Sequence, residues 1–181
     1  SNSGMNETVS YAVSNLKALE ITNSIPLNSE AVRLANPMDS TKAWLRASLV
    51  ANLLETLEGN LRLNNQRALR LFEIGHVFSF PVGATGDSLP VETEEIVGVA
   101  VGPRNEDSIW ISSSDQIDFY DLKGILDFAL DSIRLEVKYQ EFDHPTYRSG
   151  HMAKLIVGDK SIGEIGGLDD KVSDHFKLPR R

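Results

Sequence analysis

Leu71-Phe72-Glu73-Ile74-Gly75-His76-Val77-Phe78 alternates large apolar side chains with small or polar ones, and Ser79-Phe80-Pro81 follows at once. A period of two sustained this long predicts a β-strand, here from Arg67 to Phe80. Phe72, Ile74, His76, Phe78 and Phe80 then share one face, and Leu69, Leu71, Glu73, Gly75, Val77 and Ser79 share the other. Pro81 to Pro90 carries two glycines and two prolines and reads as a loop. Beyond it, Glu95 to Val101 is apolar enough for a second strand, and Ser108 to Ser112 for a short third.

Upstream, NPMDSTKAWLRASLVANLLETLEGNLRLNN predicts a helix from about Thr41 to the low sixties, capped by Asp39 or Ser40. Pro37 biases Asn36 away from helix and marks the break before it. Leu45, Leu49, Leu53, Leu57 and Leu61 recur every fourth residue, with Val50 and Leu54 beside them. A four-residue step drifts around a helix of 3.6 residues per turn, so the apolar arc is wide, roughly half the circumference. Such an arc serves either a core helix covered by its own chain or a helix that also meets another subunit. Farther out, Val9-Tyr11-Val13 and Ala31 to Leu34 read as short strands. Asp118 and Asp121 mark the start of a helix running to Ile133. Leu135 to Phe142 reads as a strand. Gly158-Asp159 joins Ala153–Val157 to Ile162–Ile165 as a hairpin, and Asp169 to Phe176 closes with a short helix.

A chain of 181 residues with 41% hydrophobic content supports one compact domain, or a domain with a small appendage. A formal net charge of −8 argues against a domain that grips nucleic acid over a broad surface. With no cysteine, disulfides and thiolate metal sites are excluded, and a reducing, cytoplasmic setting is expected. No apolar run approaches the ~20 residues of a membrane-spanning helix, so no membrane is expected among its partners. Ser1-Asn2-Ser3 reads as an expression scar, leaving residues 4–181 as the domain itself.

Five segments in order carry a family resemblance: GMNETVSYAVS, NPMDSTKAWLRASLVANLLETLEGN, LRLFEIGHVF, DFYDLKGILDFAL and HPTYRSGHMAKLIVGDKSIGEIGGLDDKVSDHF. Together they resemble the class II catalytic-like core of the bacterial-type phenylalanyl-tRNA synthetase β subunit, over nearly the whole chain. The resemblance implies an α+β fold, a mostly antiparallel sheet flanked by helices. It implies a non-catalytic structural domain packing on the α subunit of a phenylalanine–tRNA ligase, within an (αβ)2 heterotetramer. There the α subunit attaches phenylalanine to tRNA with ATP and Mg²⁺, and tRNA is met through the complex. The editing and anticodon-binding domains of such a subunit lie outside this chain, and the core is expected to continue into another strand past Arg181.

LFEIGHVF resembles the second class II signature strand, FEIGxVFRxE. Its arginine, which holds the ATP α-phosphate in the family, falls on Ser79, and its glutamate on Pro81. A neutral serine does not replace a planar, bidentate cation. Losing such a donor costs roughly 3 kcal/mol or more of transition-state stabilisation, so this chain alone is expected to be inactive, with no catalytic residue. Two site expectations follow from the resemblance. Leu45, Leu49, Leu53 and Leu57 form the subunit interface. Glu73, Gly75 and Ser79 line a residual pocket, which in an alternative reading makes the chain a regulatory module for phenylalanine, AMP or an adenylate.

Other motifs carry less. His76, His144, His151 and His175 lack metal-ligand spacing, so no metal site is expected. GDKS at Gly158–Ser161 sits in a hairpin rather than between strand and helix, unlike a phosphate loop. The glycines of GEIGG, Gly163–Gly167, read as close backbone packing. Arg62, Arg67 and Arg70 form a small basic cluster that either touches tRNA or pairs with Glu55 and Glu58. Trp44 and Trp110 are candidate interface anchors or packing residues.

Overall fold

The computed structural model describes residues 4–64, 68–84, 88–104 and 115–179. Two compact units divide the chain. The first takes the described residues of Asn6–Gln66 and Arg70–Val99, and the second those of Ser1–Met5, Arg67–Leu69 and Ala100–Arg181. The fold is α+β with mostly antiparallel pairing, as expected from the resemblance.

In the first unit the spine is β5, Leu69–Pro81, the strand anticipated from LFEIGHVF. β1 (Asn6–Glu7) lies parallel to its start, and β3 (Ser29–Glu30) antiparallel to its end. β6 (Val91–Val101) also pairs with it. β2 (Val13–Ser14) and β4 (Trp44–Leu45) form a separate antiparallel ladder. A short helix that the periodicity did not announce, α1 (Leu16–Ile21), follows β2, with Asn15 capping it through Lys17 N–H.

The long helix α2 spans Val50–Asn64 rather than starting near Thr41. Asp39 does cap, but it caps a 3₁₀ turn at Ser40–Lys42. From Ala43 to Arg46 the backbone is claimed by other segments. Leu34 N–H donates to Ala43 O at 2.9 Å, Leu45 N–H to Val32 O at 2.8 Å, and Arg46 N–H to Ala12 O at 3.0 Å. These ladder bonds outweigh the helical propensity of WLRASL, a weak local preference that tertiary pairing overrides. Glu95 on β6 then opens the helix. Its carboxylate accepts from Ser48 Oγ at 2.9 Å and from Leu49 N–H at 3.2 Å, placing a negative charge at the positive end of the helix.

Val9 and Tyr11 point to solvent, 86% and 88% exposed, in place of the expected apolar-inward strand. The inward positions of this segment go to Ser10, which faces the Glu73 carboxylate, and to the buried Ser14. Ala31 to Leu34 is likewise not a strand, although Arg33 bridges to Trp44.

The second unit is built on a three-stranded antiparallel sheet in the order β7-β8-β9. β7 is Lys138–Gln140, shorter than the expected Leu135–Phe142. β8 (Tyr147–Val157) and β9 (Lys160–Leu168) form the hairpin expected around Gly158-Asp159. Gly158 has φ +58°, the left-handed conformation such tight turns demand. α3 (Phe119–Ser132) starts with a capping box in which Asp118 and Asp121 satisfy each other's backbone N–H groups. Its Phe119, Leu122, Leu126 and Leu130 pack on Ala153, Leu155 and Ile165 of the sheet. α4, Asp170–His175, is the closing helix, capped by Asp169. The short strand expected at Ser108–Ser112 lies outside the described residues, as do Arg67 and Trp110.

Candidate functional site

The signature strand β5 turns one face inward, and that face carries an acid. Glu73 is 1% exposed, among the most buried side chains of the chain. A carboxylate removed from water needs a cation and several donors. Arg46 supplies the cation: its Nη1 stands 2.7 Å from Glu73 Oε1, with side chains 7% and 1% exposed. Ser10 supplies the donors, giving its N–H to Oε1 at 3.1 Å and its hydroxyl to Oε1 and Oε2 at 3.0 Å.

Arg46 reaches this place by running along β5. Phe78 N–H donates to Arg46 O at 2.9 Å, which anchors its backbone beside Phe78. The side chain then heads back toward the strand's beginning. Nε donates to His76 O at 2.8 Å, and Nη1 to Glu73 and, at 3.1 Å, to Ser10 Oγ. Gly75 makes the path passable. A Cβ there would overlap Arg46 Nη2 and stand 3.4 Å from Cζ and 3.6 Å from Leu49 Cδ2.

Two of the three residues expected to line a residual pocket, Glu73 and Gly75, belong to this arrangement. Glu73 and Gly75 are brought together, but around the chain's own guanidinium, so the space they were expected to offer a ligand is occupied. Ser79 is half-buried and four residues beyond Gly75, about 13 Å along the strand at ~3.3 Å per residue. The solvent-facing side of β5 is the other one, where Ile74 is 48% exposed and His76 Nδ1 stands 3.7 Å from Glu92 on β6. The residues at the signature positions therefore do not fit ATP: Ser79 offers no cation, and Arg46, the arginine that the described residues bring to this face, is already paired with Glu73.

Three of the four leucines expected at the subunit interface are enclosed by the chain's own residues. Leu49, Leu53 and Leu57 are 0%, 1% and 1% exposed within this chain alone, with Leu54 and Ala51 equally enclosed. They form part of the core of the first unit. Leu45 is half-buried in β4. The outer arc of α2 is charged: Glu55 pairs with Lys42 at 2.8 Å, and Glu58 with Arg62 at 3.6 Å. That second pair accounts for one member of the basic cluster. Trp44 is half-buried, with the Arg33 guanidinium 5.9 Å over its ring.

Charge networks elsewhere serve local structure. Arg104 binds Asp118 at 3.0 Å and Asp121 at 2.9 Å across the start of α3. Burial pushes the Asp121 carboxyl up, but the Asp118 N–H and Arg104 outweigh it and hold it below the usual carboxylate range. Lys123 and Tyr139 hold Asp127 low in turn, while burial and that carboxylate push the Tyr139 phenol up. Among the described residues, no three His, Cys, Asp or Glu side chains are grouped to hold a metal, and no helix is long and apolar enough to cross a membrane.

Arg46, Ser10 and Glu95 were not singled out in the sequence. The usable signal was Glu73 itself, an acid sharing a strand face with Leu69, Leu71 and Val77, which requires a cation if that face is buried. Nothing in the spacing chose Arg46 from the other arginines.

Comparison with known proteins agrees over the full length. The family model described as the phenylalanyl tRNA synthetase beta chain CLM domain matches residues 1–181. The phenylalanine–tRNA ligase beta subunit of Syntrophotalea carbinolica is 35% identical over 184 aligned positions, covering 97% of this chain and 22% of that protein. The Fusobacterium nucleatum beta subunit is 29% identical over 98% of this chain and 22% of its own length. The chain thus spans about a fifth of the curated relatives it matches. In fold it is similar to pyrrolysyl-tRNA synthetase from Desulfitobacterium hafniense, with a TM-score of 0.64 at 18% identity over 98% of this chain and 58% of that one. That likeness concerns the fold alone, and the sequence match supplies the family: the chain belongs to the family of phenylalanyl-tRNA synthetase beta chain CLM domains.

Proposed function

We propose that the chain is a non-catalytic structural domain of a phenylalanine–tRNA ligase beta subunit, which packs on the alpha subunit that attaches phenylalanine to tRNA. One observation carries the reading. On the strand that matches the second class II signature, the phosphate-binding arginine is replaced by Ser79, and the inward face at Glu73 and Gly75 is filled by Arg46. The domain keeps the core and gives up the chemistry. ATP and Mg²⁺ are then requirements of the whole ligase, met in the alpha subunit. Assembly as an (αβ)2 heterotetramer, contact with tRNA through the complex and a cytoplasmic location belong to the same reading.

Because Leu49, Leu53 and Leu57 are interior, a partner contact on α2 falls to its outer arc, where Leu63 is 75% exposed beside Arg62 and Glu58. Copurification with a bacterial alpha subunit, sized by light scattering, tests the reading. A defined complex that Leu63→Asp weakens supports both the role and the surface; a folded chain that forms no complex overturns it. Calorimetric titration with phenylalanine and ATP addresses the regulatory-module alternative. That alternative requires saturable binding, for which the space at Glu73 and Gly75 is already taken.

A further inference from the structure

We propose that the inward face of β5 from Glu73 to His76 is a guanidinium-binding site, which the chain fills with its own Arg46. Three acceptors from two segments, β5 and the stretch around Ser10, converge on one planar group. Glu73 Oε1 accepts from Nη1 at 2.7 Å, Ser10 Oγ from Nη1 at 3.1 Å, and His76 O from Nε at 2.8 Å. Gly75 supplies the slot, since any side chain there would overlap Nη2. A carboxylate combined with a carbonyl at a fixed offset along the strand matches the fork of a guanidinium rather than the point charge of an ammonium.

The backbone that carries the receptor groups is held by bonds in which the Arg46 side chain takes no part. Glu73, Gly75 and His76 belong to β5, which is paired with β1, β3 and β6. Ser10 follows Thr8, whose N–H donates to Phe72 O at 2.8 Å. A site held by other bonds outlasts removal of its occupant. The ligand class is an alkylguanidinium, and ethylguanidinium reproduces the atoms lost in Arg46→Ala beyond Cβ. The inference concerns this side-chain site and stands apart from any role beside an alpha subunit.

The test is thermal unfolding of the Arg46→Ala chain with ethylguanidinium chloride. A ligand that binds only the folded state raises the midpoint saturably, on the order of 4 °C at ~10-fold over its Kd. The rise is expected to be absent in the unmodified chain, in Arg46→Ala with Glu73→Gln, and with propylammonium in place of ethylguanidinium. Equal effects on the unmodified chain or with propylammonium overturn the proposal. Should Arg46→Ala be unfolded in buffer, the same titration is read as recovery of the helical circular dichroism signal. Recovery supports the site, and no recovery up to roughly 50 mM overturns it.

Discussion

Replacing Glu73 by Gln removes one charge from the inside of the first unit with almost no change of volume. The amide oxygen still accepts a hydrogen bond, and Ser10 Oγ can turn to meet the new N–H₂. What is lost is the anion beside Arg46, which is 6% exposed. Breaking a buried pair from one side costs about 3–5 kcal/mol, because the remaining charge is left without compensation. At about 2–4 °C per kcal/mol for a chain of this size, the melting midpoint falls by about 6–20 °C. Glu55→Gln provides the comparison. It breaks a pair of nearly the same length, 2.8 Å against 2.7 Å, whose side chains are 44% and 31% exposed. That exposed pair contributes no more than about 1 kcal/mol. Urea unfolding followed by circular dichroism measures both variants on one protein. If the two lose the same stability, or if Glu73→Gln loses under about 1 kcal/mol, the argument that burial gives this pair its weight is wrong.

Other consequences are sharp enough to measure. Gly75→Ala drives a Cβ into Arg46 Nη2 and should cost about 1–3 kcal/mol by urea midpoint, whereas Gly59→Ala, with open space around its Cβ position, should stabilise α2. Asp121 has its carboxyl held below the usual range, so its contribution is complete above the unfolded pKa of ~3.9 and is lost as pH falls through the lower folded value; Asp121→Asn should flatten that part of a stability-versus-pH curve. Glu95→Ala removes the acceptor for Ser48 Oγ and Leu49 N–H and should cost about 1 kcal/mol, with early fraying of α2 seen as faster amide exchange in its first turn. Gly166→Ala brings a Cβ to 2.9 Å from the Tyr147 ring, and loss of the Tyr147 near-ultraviolet signal would report the displacement.

Where a segment's fate depended on its own residues, the sequence was enough. The two-residue period of β5, the capping pair Asp118 and Asp121, and the Gly158-Asp159 turn are all local signals, and each formed as expected. Where partners lay far off, it was not. The start of α2 moved from Thr41 to Val50 because Leu45 and Arg46 bond to residues more than ten positions away. The wide leucine arc was legible, but periodicity does not say who covers it, and here the chain covers Leu49, Leu53 and Leu57 itself. The neighbour of Glu73 and Gly75 was hidden for the same reason. Glu73 and Gly75 were visible, while Arg46, 27 residues before Glu73, gave no sign of its destination.

The hold that Arg46 keeps on β5 also settles which way that strand is threaded. A slip by one residue would turn every side chain of β5 to the opposite face. The hydrophobic pattern resists such a slip only weakly, because both faces of this strand carry apolar residues. The guanidinium makes the two registers unequal. In one it meets a carboxylate and a glycine; in the other it would be walled in by Ile74 and Phe72, with Glu73 outside. A single ionic contact thus acts as an alignment key for the longest strand of the sheet, telling apart two pairings that greasy contacts alone would leave close in energy.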